Sequence, residues 1–151
     1  MTERSTQHAT FVIERHYPVS PARVFGAWAD PVAKARWFNG PTQAQSEGYV
    51  LDFRVGGAEH LRTTFPGGQP HVYDARYYDI VPGQRIVYCY EMHIGKMRIS
   101  VSLATAEFRG AGKQATLIFT EQAVFLDGYD DGGSRERGTH ELLDKLGRSL
   151  S

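Results

Sequence analysis

Residues 15–31 read RHYPVSPARVFGAWADP, residues 36–38 read RWF, and residues 51–57 read LDFRVGG. The first segment predicts the end of a strand and then two short helices, because Ser20 and Asp30 are each a capping residue followed by a proline. The last segment predicts a second strand that ends in a glycine pair. This order favours an α+β architecture in which a curved sheet holds one long helix around a cavity.

The rest of the chain predicts an antiparallel meander and a terminal helix. Alternating strands are separated by glycine-containing turns. The predicted strands cover residues 10–17, 49–55, 58–65, 71–80, 85–93, 97–108 and 115–123. The predicted helix covers residues 134–149, and its apolar stripe consists of Leu142, Leu143, Leu146 and Leu150.

Composition excludes several classes of protein. The 151 residues contain 17 Lys plus Arg and 17 Asp plus Glu, so the chain lacks the basic footprint of a nucleic-acid binder. No apolar run is long enough to span a membrane, and the single cysteine, Cys89, excludes an internal disulfide. We expect a cytoplasmic protein with a disordered tail over residues 1–8, one domain over residues 9–151 and no cofactor.

The hairpin turns predict which side chains share a face of the sheet. With Pro82-Gly83 and Gly95-Lys96 as central turn residues, Tyr77 lies opposite Tyr88, Tyr88 opposite Leu103, and Tyr90 opposite Val101. One face then collects Tyr73, Tyr77, Tyr88, Tyr90, Val101 and Leu103, and the leucine stripe of the terminal helix, including Leu143, covers it.

A set of short motifs resembles the START-like, polyketide-cyclase-type (SRPBCC) superfamily, and within it the homologues of the activator of the heat-shock protein 90 ATPase. The resemblance covers about residues 9–151. The motifs are Arg15, Pro21, Val24-Phe25, Ala27-Trp28, Asp30-Pro31, Trp37-Phe38, Asp52, residues 54–57, residues 79–82 with Arg85, and residues 141–146.

The resemblance implies a helix-grip fold, in which a seven-stranded antiparallel sheet wraps around the C-terminal helix with a cavity between them. Two short helices lie between strands 1 and 2. The chain departs from the pattern at Thr139, where such chains often carry an aromatic residue early in the last helix. The superfamily includes ligand binders, cyclases and hydrolase-like enzymes, so the fold alone does not decide the function.

Two groups of residues are candidates for a ligand site. Tyrosines 73, 77, 88 and 90 can line an apolar pocket and direct hydroxyl groups at a ligand, although they can equally be core residues. The other predicted ligand contacts are Val101, Leu103, Phe119, Leu143, Arg15 and Trp37, of which Trp37 is either a core anchor or part of the cavity rim.

Glu121 is the most specific single candidate. It shares a predicted face with Leu117 and Phe119, so its carboxylate lies among apolar groups. It can act as a general acid or base, anchor a polar ligand group, or form a structural ion pair. Arg15 is the predicted partner, because strand 1 closes beside strand 7 in this fold.

Other catalytic centres find little support. His71, Glu91 and His93 lie on neighbouring strands, but they lack the spacing of a zinc site, and the face that Glu91 and His93 share is predicted to point outward, so no metal is expected. Cys89 has no evident catalytic partner, and no G-x-S-x-G element is present.

We therefore expect binding of a small hydrophobic or aromatic molecule in an internal cavity. One alternative is a cavity enzyme of the cyclase, dehydratase or hydrolase type that uses Glu121. Another is an interaction partner of a chaperone or stress response, as the family name suggests. Exposed edge strands permit a homodimer.

Overall fold

The computed structural model describes residues 3–39 and 45–151, which form one antiparallel sheet of seven strands and three helices. The strands are β1 (Thr6–Tyr17), β2 (Gln45–Leu51), β3 (Ala58–Thr64), β4 (Pro70–Val81), β5 (Arg85–Ile94), β6 (Met97–Ala111) and β7 (Gln114–Leu126). The helices are α1 (Pro21–Ala29), α2 (Pro31–Ala35) and α3 (Gly132–Ser149). The predicted α+β class, with two short helices between the first strands and a long last helix, is confirmed.

The strand order is β1-β7-β6-β5-β4-β3-β2, so the first strand joins the sheet beside the last one. Residues 6–8 pair with Val124, Phe125 and Leu126 of β7. The disordered tail predicted over residues 1–8 is therefore wrong for residues 6–8, because these residues extend β1 along the full length of β7. Residues 1–2 of that segment lie outside the described residues.

Side-chain caps start all three helices. The Ser20 hydroxyl accepts a hydrogen bond from the Arg23 amide at 3.1 Å, and an Asp30 carboxylate oxygen accepts one from the Ala33 amide at 2.8 Å. Asp131 does the same for the Ser134 amide at 2.8 Å, so α3 begins at Gly132, two residues before the predicted start.

The segment predicted as the end of strand 2 is instead a turn. β2 ends at Leu51, and the Gly57 amide donates a hydrogen bond to the Arg54 carbonyl at 2.8 Å. A Cβ atom on Gly57 would lie 2.0 Å from the Asp52 carbonyl oxygen, so only glycine allows the chain to close here. The turn bonds to Tyr77 through both Gly56 and Gly57, which ties it to β4.

Helix α3 lies along β1 and leaves the centre of the sheet uncovered. Leu143, Leu146 and Leu150 are buried in the main core. The Tyr17 hydroxyl donates to the Leu143 carbonyl at 2.9 Å. Gly147 brings the helix close to the Tyr17 ring, since a Cβ atom there would lie 3.1 Å from a ring carbon. The helix therefore closes one side of a hollow rather than filling it.

The predicted register between β5 and β6 is wrong by one residue. Near the turn it holds, with Ile94 opposite Met97, but a bulge after Met92 shifts the rest. Tyr88 then lies opposite Ala104 and Tyr90 opposite Ser102. Between β4 and β5 the predicted pair of Tyr77 and Tyr88 is confirmed, although Val81 lies opposite Arg85 at the turn and a bulge between Tyr77 and Asp79 restores the register.

The slip exchanges the two faces of β6. Val101 and Leu103 lie on the outer face, 39% and 41% exposed, so their assignment to the ligand cavity is wrong. The inner face of the strand carries small side chains instead: Ser100, Ser102, Ala104 and Ala106, all buried.

Candidate functional site

A cavity of about 1260 Å³ lies between the inner face of the sheet and α3. Its walls are rich in aromatic rings: Trp28, Trp37, Tyr73, Tyr88, Tyr90 and Phe119. The small inner side chains of β6 do not line the cavity; α1 packs against β6 and β7, and its Trp28 ring stacks against Phe119 with centroids 6.1 Å apart. The volume is sufficient for a drug-sized molecule.

Seven of the predicted site residues line this cavity: Trp37, Tyr73, Tyr88, Tyr90, Phe119, Glu121 and Leu143. Tyr77 is buried but does not line the cavity, and its hydroxyl donates to Glu59 at 2.8 Å. Arg15, Val101 and Leu103 also lie outside the set of lining residues. The lining also includes polar and charged residues that the sequence analysis did not predict, among them Asn39, His71, Asp130 and Arg135.

Glu121 is only 1% exposed and stands among three donors. Its Oε2 atom accepts hydrogen bonds from the Tyr90 hydroxyl at 2.6 Å and the Ser102 hydroxyl at 2.8 Å. Arg135 Nη1 lies 3.5 Å from the same oxygen. Burial and the nearby Glu121 carboxylate raise the pKa of Tyr90, so its hydroxyl stays protonated and available as a donor.

The predicted pair between Arg15 and Glu121 is wrong. Arg15 shares the inner face of β1 but turns toward α3, where its guanidinium pairs with Asp144 and donates to the His140 carbonyl at 3.2 Å. The cation beside Glu121 comes from Arg135 in the first turn of α3.

Arg135 joins several elements at one end of the cavity. Its guanidinium donates to the Tyr90 hydroxyl at 3.0 Å, to the Ser100 hydroxyl at 2.8 Å and to Asp130 at 3.1 Å. Two carboxylates therefore share one guanidinium, which makes this end of the cavity acidic. The acidic loop before α3 contributes to the cavity wall through Asp130.

Some polar groups of the cavity wall have no hydrogen-bond partner among the described residues. Within residues 3–39 and 45–151, no hydrogen bond reaches the Tyr88 hydroxyl or the Oε1 atom of Glu121. Burial, reinforced by Tyr90 and Glu121, raises the pKa of Tyr88, so its hydroxyl remains a donor. The Trp28 indole nitrogen is also buried without a partner in this part of the chain.

A second buried carboxylate, Glu59, is fully paired and was missed from the sequence. Lys34 Nζ lies 2.7 Å from one of its oxygens, and hydroxyls of Tyr49 and Tyr77 donate to it at 2.6 Å and 2.8 Å. Burial lowers the pKa of Lys34, although Glu59 opposes this shift. The available signal was the β3 alternation, which places Glu59 on the same face as Leu61 and Thr63.

The outer face of the sheet carries a group that could hold a metal ion. Ligand atoms of Asp74, Glu91 and His93 all lie within 4.8 Å of one another. Asp74 is hydrogen-bonded to His60 at 2.6 Å, and Arg98 lies 3.3 Å from Glu91. These partners compete with a cation for the same oxygens.

Comparison with known proteins identifies relatives across the whole chain. The family model for "Activator of Hsp90 ATPase homolog 1-like protein" matches residues 18–151. A comparison with curated proteins found no match. None of the helices that the structure describes combines the length and apolar character needed to cross a membrane.

Solved structures agree with the family match. An uncharacterized protein from Rhizobium leguminosarum is 50% identical with a TM-score of 0.93, and the match covers 99% of this chain and 98% of that chain. The Mll3558 protein from Rhizobium loti is 44% identical with a TM-score of 0.88, and the match covers 96% of this chain and 99% of that chain.

A more distant structure shares the fold alone. DynU16, a protein in the dynemicin biosynthetic locus, is 16% identical with a TM-score of 0.65. The match covers 93% of this chain and 46% of that one. With the family model matching most of its length, the chain belongs to the Activator of Hsp90 ATPase homolog 1-like family.

Proposed function

We propose that this protein binds a small hydrophobic or aromatic molecule in the cavity between the sheet and α3. The observation that carries the proposal is a space of about 1260 Å³ whose walls are mostly aromatic. Burial of apolar ligand surface there would contribute roughly 25 cal/mol per Å² before the costs of association.

The position of the two tryptophans supports a direct test. Trp28 and Trp37 are the only tryptophans of the chain, and both line the cavity. A molecule that enters the cavity therefore changes the environment of every indole in the protein. The neutral probe N-phenyl-1-naphthylamine should brighten on binding and quench the tryptophan emission with the same saturation curve.

A variant that fills the cavity gives the matched comparison. Thr139 lines the cavity from α3, and Thr139→Phe places a ring in the space. Arg137→Phe adds the same ring two residues earlier on the same helix, at an exposed position outside the cavity wall. We expect Thr139→Phe to weaken probe binding at least about tenfold, or about 1.4 kcal/mol, and Arg137→Phe to leave it unchanged.

Failure of the unmodified protein to bind the probe or any co-purified apolar molecule, examined by native mass spectrometry, would contradict the proposal. Equal binding by both phenylalanine variants would place the probe elsewhere on the protein. The cavity enzyme that uses Glu121, the chaperone partner, the homodimer and the cytoplasmic location remain predictions.

A further inference from the structure

We infer that Glu121 is the residue that selects the ligand, and that it selects an aromatic molecule carrying a hydrogen-bond donor, such as a hydroxyl or amino group, over one carrying a carboxylate. This inference rests on the proposed binding function. It follows from how the two buried glutamates of the inner sheet face are paired.

Glu59 and Glu121 are both almost completely buried, at 0% and 1% exposed, but they differ in their partners. Both oxygens of Glu59 accept hydrogen bonds, from Lys34 and from the hydroxyls of Tyr49, Tyr73 and Tyr77. Glu59 also lies outside the cavity wall. Its pairing is complete without a ligand.

Glu121 uses only one of its oxygens. Tyr90, Ser102 and Arg135 all approach Oε2, and no donor from residues 3–39 or 45–151 reaches Oε1. Glu121 lines the cavity, and Oε1 is not one of the fully buried side-chain atoms without a partner in the described chain, so it is accessible from the cavity. A ligand that enters the cavity excludes water from Oε1, and an acceptor left without a donor is costly, so a ligand that places its own donor at Oε1 is favoured.

The sheet register places this acceptor beside an aromatic platform. Tyr88, Ala104 and Glu121 lie side by side on three adjacent strands. Ala104 is fully buried, whereas Tyr88 and Glu121 both line the cavity. Trp28 stacks against Phe119, which lies two residues before Glu121 on the same face of β7, with ring centroids 6.1 Å apart. A flat ring that lies in the cavity against these side chains can present a donor to Glu121 and an acceptor to the Tyr88 hydroxyl.

Charge at this end of the cavity opposes an anionic ligand. Glu121 and Asp130 share the single guanidinium of Arg135, and that guanidinium is already bonded to Tyr90, Ser100 and Asp130. The cations Arg36, Lys145 and Arg148 also line the cavity, but Arg36 and Arg148 are exposed and Lys145 donates to Asn39 at 2.6 Å. Among the described residues, Arg135 is the one cation within ion-pair distance of Glu121, so a carboxylate placed beside Glu121 would meet repulsion.

Three probes of similar shape test the inference: 2-naphthol, 2-methoxynaphthalene and 2-naphthoate. Each is titrated into the protein by calorimetry and by displacement of N-phenyl-1-naphthylamine. We expect 2-naphthol to bind at least about tenfold more tightly than 2-methoxynaphthalene, because only the former donates to a charged acceptor. We expect 2-naphthoate to bind most weakly.

Glu121→Gln removes the charge and can present an amide donor to the cavity while its oxygen still accepts from Tyr90 and Ser102. The preference for 2-naphthol over 2-methoxynaphthalene should then fall to about threefold or less, which is within the scatter of neutral hydrogen bonds. Glu14→Gln makes the same change at an exposed position of β1 and should keep the preference of the unmodified protein.

The outcomes separate the two proposals. If neither N-phenyl-1-naphthylamine nor any naphthalene binds, the proposed function fails and the inference fails with it. If the naphthalenes bind but 2-naphthol has no advantage, or 2-naphthoate binds best, the cavity binds ligands and the inference about Glu121 is overturned. The series on the unmodified protein decides this even if Glu121→Gln does not fold.

Discussion

Lys34 and Glu59 form an ion pair of 2.7 Å in which the two side chains are 1% and 0% exposed. The pair connects α2 to β3, so it fixes the short helices against the sheet. Rings of Trp28, Trp37 and Phe38 surround the ammonium group, with the Phe38 centroid 4.6 Å from Nζ. A buried pair of this kind is costly to form but far more costly to leave half complete.

Lys34→Met should therefore destabilise the protein by about 3–5 kcal/mol, because it leaves the Glu59 carboxylate buried without its cation. The double variant Lys34→Met, Glu59→Gln should be more stable than Lys34→Met alone, since glutamine is neutral and still accepts from the tyrosine hydroxyls. Urea denaturation measures both. A single variant that loses less than about 1 kcal/mol would contradict the importance of the pair.

The two arginines near α3 should differ in their effect on stability. Arg135→Met removes a mostly buried cation from Glu121 and should cost about 3–5 kcal/mol. Arg15→Met removes a pair with Asp144, whose side chain is 51% exposed, and should cost at most about 1 kcal/mol. Thermal melts of the two variants provide the comparison. A larger loss for Arg15→Met than for Arg135→Met would contradict the assignment of Arg135 as the buried cation that stabilises Glu121.

The assignment of the two faces of β6 can be tested by substitutions at two adjacent residues, Ala104 on the inner face and Leu103 on the outer face. Ala104→Leu adds volume at a fully buried position between Tyr88 and Glu121, so overpacking there should cost about 1–3 kcal/mol and weaken probe binding by displacing these two cavity-lining side chains. Leu103→Ala changes a side chain that is 41% exposed on the outer face, so its effect should stay within about 1 kcal/mol with binding intact. Chemical denaturation and the naphthylamine titration measure the two effects; a larger loss for Leu103→Ala would mean that the faces are reversed.

The tyrosines set the behaviour of the protein at high pH. Burial raises the pKa of Tyr17 to about 12, and the pKa of five others is raised in the same direction: Tyr49, Tyr73, Tyr77, Tyr88 and Tyr90. Unfolded tyrosine ionises near pH 10, so the folded state keeps protons that the unfolded state loses above that pH. Their contribution to stability is complete below about pH 10 and is lost as the pH rises further.

We therefore expect the buried tyrosines to ionise together with unfolding rather than one by one. Tyrosinate absorbance and near-ultraviolet circular dichroism, followed in one alkaline titration, should show a shared transition for this group. The chain unfolded in guanidinium provides the control, because all its tyrosines ionise near pH 10. Ionisation of most tyrosines while the native dichroism persists would contradict the prediction.

Local signals in the sequence were sufficient to predict the order and type of the helices and strands. Ser20-Pro21 and Asp30-Pro31 start helices at the predicted residues, and the turn at Pro82-Gly83 joins the predicted strands β4 and β5. These features depend on neighbours within a few residues, which a sequence displays directly. The burial of Glu121 also follows from simple alternation along β7.

The side-chain partners at the candidate site and the register of β6 could not be predicted from such local signals. A bulge at Met92 moved Val101 and Leu103 to the outer face, and no turn residue marks its position. Arg135 reaches Glu121 because of how α3 lies along β1, a tertiary relationship that sequence spacing does not encode. Lys34 was passed over because an isolated lysine in a short helix is usually exposed.

The closure of β1 on β7 has a consequence for biosynthesis. The Ser5 amide bonds to Asp127 across a separation of 122 residues, and Arg15 meets His140 across 125. On the ribosome, β1 is synthesised early, and its apolar inner face remains unpaired until β7, the last strand of the sheet, has been synthesised. During that interval Phe11 and Ile13 are exposed to other nascent chains, so translation speed at the late codons should govern the yield of correctly folded molecules.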